Sequence, residues 1–193
     1  AFTYYESRHS QIRRAVCKFG KSIKSLKFRG RCLESNEIPK FCAGGTLEEL
    51  HLSTSKIMKD DDDSRLLFSS LKTLTLSHCN HNGRAGALLS ECQELKTLRL
   101  YATPRCGSIC DVAQKYGKLE ELYIEDVNSQ TTRALLQLNR QIKKLNMPGT
   151  YATTFAMVSK MVNLEELVIR SMRGVSRYIN ISKLAALKSL KVL

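Results

Sequence analysis

The stretch Leu95-Lys96-Thr97-Leu98-Arg99-Leu100 is one copy of a spacing, Leu-x-x-Leu-x-Leu, that recurs along the whole chain. Upstream the frame reads Ile23-Leu26-Phe28, Leu47-Leu50-Leu52 and Leu71-Leu74-Leu76. Downstream it reads Leu119-Leu122-Ile124, Ile142-Leu145-Met147, Leu164-Leu167-Ile169 and Leu187-Leu190-Val192. First positions at 23, 47, 71, 95, 119, 142, 164 and 187 give intervals of 24, 24, 24, 24, 23, 22 and 23 residues. A step this even marks a structural repeat rather than a chance run of leucines.

Parity decides what each copy does. Side chains of an extended strand alternate faces, so Leu98 and Leu100 point one way while Thr97, Arg99 and Tyr101 point the other. One face becomes core and the other display. The rest of each repeat must bring the chain back to begin a parallel strand, which takes a crossover of a dozen residues or more. That return reads as helical: Leu88, Leu89 and Cys92 are at helical spacing, followed by Ile109, Val112 and Ala113 in the next repeat. Ala134, Leu135 and Leu138 continue the series, then Phe155, Val158 and Met161, then Ile181, Leu184 and Ala185. Strands stand about 4.8 Å apart, whereas packed helices need roughly 8–10 Å. Such a stack must curve with its strands inside.

The chain on these grounds resembles the leucine-rich-repeat proteins of the intracellular, helix-backed kind, over residues 12–193. The fold class expected is α/β: one curved leucine-rich-repeat solenoid of about eight repeats over residues 1–193, with a concave parallel β-sheet and convex helices. At the ninth repeat position the family usually carries Asn or Cys. Here Arg31, Ser55, Cys79, Thr103, Val127, Thr150 and Met172 stand there, and only Cys79 fits, so irregular turns are expected after the strands.

Composition narrows the class further. At 193 residues with 42% hydrophobic, the chain has ample material for one core. No window approaches the ~18 consecutive apolar residues of a membrane span, and the first residues lack a signal-peptide pattern. The chain opens on Ala1 and closes inside a repeat, at Lys191-Val192-Leu193, so a segment of a longer chain is expected. Residues 1–11 read as the tail of a preceding element. Ile12, Ala15, Val16 and Phe19 then share a helix face ahead of Gly20, the helical leg of a repeat whose strand is missing. Seven scattered cysteines, an odd number without terminal clusters, fit reduced thiols in a cytoplasmic or nuclear protein. The net charge of +13 is concentrated: residues 1–31 hold nine Lys or Arg against Glu6 alone.

Motifs that would carry chemistry fall short. Gly20-Lys21-Ser22 ends like a phosphate loop, but Ala15 stands where that loop needs Gly. Asp60-Asp61-Asp62-Asp63 lacks the spacing of a calcium loop and reads as a solvated turn. His78, Cys79 and His81 lack the second pair of ligands that a zinc site wants, as do Cys106 and Cys110. Glu48-Glu49, Glu120-Glu121 and Glu165-Glu166 occupy adjacent motif positions whose side chains diverge, and no nucleophile elbow or metalloprotease motif is present. No enzyme, cofactor or metal is expected in this segment.

The display positions are therefore the candidate site. The residues singled out for a protein partner on the concave face are Lys27, Arg29, Glu49, His51, Thr75, Arg99, Tyr101, Glu121, Tyr123, Glu125, Lys144, Asn146 and Arg170. Their charge alternates in blocks, which suits electrostatic register with one partner, and Arg99, Tyr101 and Tyr123 are of the types that dominate interface energy. Nucleic acid is disfavoured, because aromatic platforms are few and Glu121 and Glu125 flank Tyr123. The lettering Leu-Glu-Glu-Leu and Leu-Lys-Thr-Leu, with scattered Cys and uneven loops, is most similar to the repeat arrays of F-box proteins. That resemblance implies a substrate-recognition array of a ubiquitin-ligase adaptor, with the F-box adaptor and cullin machinery docking outside this segment. The alternatives are an interaction scaffold unrelated to ubiquitin and, behind it, a nucleic-acid-associated protein using the basic end.

Overall fold

The computed structural model describes residues 2–5, 22–30, 32–34, 45–53, 56–58, 69–78, 92–102, 118–125, 127, 129–138, 140–148, 156–170 and 181–191. In chain order these form β1 (Phe2–Tyr5), β2 (Ser25–Arg29), β3 (Cys32–Glu34), β4 (Glu49–Ser53), β5 (Lys56–Met58), β6 (Thr73–Ser77) and β7 (Thr97–Tyr101). Then follow β8 (Glu121–Glu125), α1 (Ser129–Leu138), β9 (Lys144–Pro148), β10 (Glu166–Arg170) and a 3-10 turn over Ile181–Ala186.

The repeat spacing becomes sheet register. Eight strands make one parallel sheet in the order β1-β2-β4-β6-β7-β8-β9-β10, with each repeat beside the next. Leu26, Leu50, Leu74, Leu98 and Leu122 lie level with one another from strand to strand. This is a parallel-strand solenoid of the leucine-rich-repeat type. Each strand begins two residues after the first motif leucine. Between them the main chain forms a regular clamp: the carbonyl of the second motif residue accepts N–H bonds from the second and third residues of the next repeat. Lys24 O accepts from Glu48 and Glu49 at 2.8 and 3.0 Å, and the same forked bond recurs at Glu48, Lys72, Lys96, Glu120 and Lys143. The pattern consumes backbone donors that would otherwise be buried unpaired.

The motif leucines form the core as the parity required. Leu52, Leu71, Leu74, Leu76, Leu98, Leu100, Leu119 and Leu122 are wholly buried. Leu135 and Leu136 of α1, with Val158 and Met161, join the same cluster, so these returns lie on the core side of the sheet. The buried stripe of α1 is Thr131, Thr132, Leu135 and Leu136; of the expected Ala134, Leu135 and Leu138 it keeps Leu135, Ala134 is half-buried and the Leu138 side chain lies outside the described residues. Residues 156–158 make a helical turn, but Ile181–Ala186 is 3-10 rather than α. The expected helices at 83–91 and 109–113 lie outside the described residues.

Several sequence readings change. Residues 2–5 are no tail: β1 pairs parallel with β2, Phe2 level with Leu26, and supplies the strand that the first repeat seemed to lack. Its Phe-Thr-Tyr-Tyr lettering hides the motif, though its step to β2 is again 24 residues. A two-stranded parallel sheet of β3 and β5 stands where only loop was expected, three residues per strand and too short for any period to show. The last copy is shifted. Leu190 N–H bonds to the Leu187 carbonyl as Leu164 does to Met161, and Lys191 N–H reaches Glu165 O at 2.7 Å. The frame therefore starts at Leu190 rather than Leu187. Leu184, Leu187 and Leu190 are evenly spaced by three, so the sequence matches either frame, and burial of Leu184 and Leu187 selects the later one. Among the described residues with a β-carbon, only His78 and Ala102 have positive φ, 54° and 46°. Both occupy the eighth repeat position, where their N–H groups bond to Tyr101 O and Glu125 O at 2.8 Å.

Candidate functional site

Register lays the display residues in rows across the strands. Ser25, Glu49, Thr73, Thr97, Glu121, Lys144 and Glu166 form the first, and Lys27, His51, Thr75, Arg99, Tyr123, Asn146 and Val168 the second. A third runs through Arg29, Ser53, Ser77, Tyr101 and Glu125. Arg170 stands level with Pro148 by its backbone, and its side chain is outside the described set.

The middle of the face is already ordered. The Arg99 guanidinium sits 4.8 Å from the centroid of the Tyr123 ring, a cation–π stack made by register alone. Glu121 is the hub beside it: its Oε2 accepts from Thr97 Oγ1 and from the Tyr123 hydroxyl, each at 3.4 Å, and its Oε1 lies 3.2 Å from Lys144 Nζ. Burial, followed by the charge of Glu121, pushes the Tyr123 phenol above its ordinary pKa, so it stays a donor. The hydrogen bond from Lys144 to Glu121 holds the ammonium protonated. The sequence singled out four of these five residues. Thr97, which it placed only among the facing positions, is the fifth.

Toward β2 the face turns basic. Lys27 and Arg29 are exposed on β2, and His51 is half-buried beside them. Burial lowers the His51 pKa first, and Lys27, Arg29 and Arg99 lower it further, leaving a neutral imidazole at neutral pH. Glu49 is exposed and accepts from Ser25 Oγ at 3.0 Å. Thr75 differs from the expectation of a displayed contact: at 5% exposure it forms a floor between the longer side chains of His51 and Arg99. Tyr101 and Asn146 are half-buried, while Glu125 and Lys144 are exposed.

Sequence reading missed a second charged row. The second motif positions, Lys24, Glu48, Lys72, Lys96, Glu120, Lys143, Glu165 and Lys191, form a ladder just ahead of the strands. Glu48 bridges Lys72 at 2.8 Å and Lys24 at 3.7 Å, Glu120 bridges Lys143 at 3.1 Å and Lys96 at 3.7 Å, and Glu165 pairs with Lys191 at 2.7 Å. The hydrogen bond from the neighbouring lysine is the main reason that each carboxyl titrates below its usual range. Glu94, bonded to Lys118, behaves alike. Lys or Glu at each second motif position, at steps of 22 to 26 residues, was the available signal. These exposed pairs align repeats and leave the display face to its own residues.

No helix among the described residues is long and apolar enough to cross a membrane. Neither a family model nor a curated protein sequence matches the chain. Among solved structures, an internalin, InlF of Listeria monocytogenes, is similar at 11% identity over 86% of this chain and 71% of its own, with a TM-score of 0.28. The assignment to a leucine-rich-repeat solenoid stands on the repeat step, the strand register and the leucine core.

Proposed function

We propose that this chain is a protein-binding array whose display face holds one partner in a fixed register, and that it serves as the substrate-recognition array of an F-box-type ubiquitin-ligase adaptor. The observation that carries the binding role is the cluster Thr97, Arg99, Glu121, Tyr123 and Lys144. Arg and Tyr dominate the energy of protein interfaces, and here their side chains are held in place before a partner arrives, which reduces the ordering cost of association. The ubiquitin step rests on the lettering of the repeats, Leu-Glu-Glu-Leu and Leu-Lys-Thr-Leu, and on nothing in the face itself.

The test is to recover the whole protein from its own cells and identify the co-purifying chains by mass spectrometry. F-box adaptor and cullin scaffold in the eluate support the degradation-receptor role; a stable partner without them leaves a plain scaffold. In the same experiment Arg99→Ala and Tyr123→Ala should each reduce partner recovery roughly tenfold, the scale of a hot-spot truncation. Their circular dichroism should stay that of the parent, since both side chains lie on the display face. Undiminished recovery in both variants would remove the binding role from this face.

A further inference from the structure

One half of the display face carries a concentration of cations: Lys27 and Arg29 on β2, with the Arg99 that stacks on Tyr123 at the far end. Lys27 is level with His51, His51 with Thr75, and Thr75 with Arg99. Arg29 lies two residues along β2 on the same face. The row thus has cationic ends and a low, buried floor at Thr75. Two acids border it: Glu49 accepts from Ser25, and Glu121 is shared among Thr97, Tyr123 and Lys144, whose ammonium offsets its charge. We infer that this row, from Lys27 and Arg29 across Thr75 to Arg99, seats a short acidic segment of the protein partner. The inference rests on the reading of the face as a protein-binding surface and adds the chemistry of what binds.

Dimensions and charge both favour a peptide. From β2 to β7 there are three strand spacings, about 14 Å, which four or five residues of extended chain span at about 3.3 Å each. Carboxylates spaced along such a segment can meet Lys27 and Arg29 at one end and Arg99 at the other while its backbone crosses Thr75. The field of these three cations reaches the imidazole of His51 between them, so an incoming anion placed over it meets the attraction of all three. A nucleic acid fits worse. Its phosphates recur at every residue and would run against Glu49 and Glu121, whereas a peptide can set its carboxylates opposite the cations alone, and the ring face of Tyr123, the platform a base would need, is covered by Arg99.

The experiment uses the 193-residue chain and fluorescence anisotropy at physiological salt, with a labelled Glu-Ser repeat peptide as probe and the Gln-Ser peptide as control. The Glu-Ser peptide should bind and the Gln-Ser peptide should not. Lys27→Glu and Arg99→Glu should each weaken binding by roughly tenfold or more. Lys160→Glu and Lys188→Glu, which reverse exposed charges away from the strands, should stay within about twofold. Equal losses in all four variants would reduce the effect to net charge and overturn the inference, as would tighter binding of polyuridine RNA with displacement of the peptide. Absence of peptide binding, while Arg99→Ala still reduces partner recovery from cells, would sink the acidic-segment inference and leave the binding face standing. Absence of both would sink the underlying reading too.

Discussion

Ala102 shows how one residue can carry strain that the repeat imposes. At the eighth position the chain leaves the strand, and the bond from Ala102 N–H to Glu125 O at 2.8 Å holds it at φ 46°. A β-carbon in that region costs about 1–2 kcal/mol, which glycine avoids while giving back part of the gain as unfolded-state entropy. Ala102→Gly should therefore stabilise the chain by about 0.5–1 kcal/mol, read as a raised urea midpoint at unchanged slope. The same change at exposed Ala185, where φ is not positive, should lower the midpoint instead. Core positions show the opposite sensitivity. Leu98, wholly buried between Leu74 and Leu122 in register, should lose about 3 kcal/mol on truncation to Ala. Strain and packing are thus separated by four residues of one repeat.

At the scale of the element, the repeat is held by two systems, one in the backbone and one in side chains. The forked bonds to the second-position carbonyls are internal and insensitive to salt, whereas the lysine–glutamate ladder lies in water and is screened. Glu48, Glu94, Glu120 and Glu165 all titrate below the usual carboxylate range in the folded chain. Folded pKa values below the unfolded ones mean that this contribution is fully present above the unfolded carboxylate range and is lost as pH falls through the folded values. The thermal midpoint should fall as pH is lowered from neutral to below 4.5, and high salt at neutral pH should remove the same contribution; a midpoint indifferent to both would rule the ladder out as a source of stability. The sequence made the strands legible because a period of 24 residues and a parity of two suffice to place Leu50, Leu74 and Leu98 in one layer. It left β1 hidden because Phe2 and Tyr4 spell no leucine motif, and it misplaced the last copy because leucines at intervals of three fit two frames. For the site, parity named Arg99, Tyr123, Glu121 and Lys144, but which of them touch depends on register between repeats. The burial of Thr75 depends on the sizes of its neighbours across strands, which no single repeat contains.

Across the whole molecule, each repeat packs only on its neighbours, so stability is shared along the stack and falls toward its ends. Burial loosens only toward the outermost described positions. The first two apolar motif positions from Leu71 to Leu167, β10 included, are at most 1% exposed, whereas Leu26 and Phe28 at one end retain 3% and 4% and Leu184 and Leu187 beyond β10 retain 7% and 5%. Strand order in the sheet matches order in the sequence, so no long-range crossover ties β1 to β10, and opening can begin at either end without disturbing the middle. Native-state hydrogen exchange should show the strongest amide protection in β6, β7 and β8, declining outward to β2 and β10. A truncation then reports on position as well as packing. Leu26→Ala should reduce protection in β1, β2 and β4 while β8 keeps its parent value. Leu98→Ala, in the middle, should weaken protection on both sides, because each half loses the neighbour that buries its inner face. Uniform loss of protection after Leu26→Ala would mean that the eight strands unfold as one cooperative body rather than as a stack of neighbours. The display face would then be rigid from end to end, and its partner would bind it without any cost of ordering the terminal repeats.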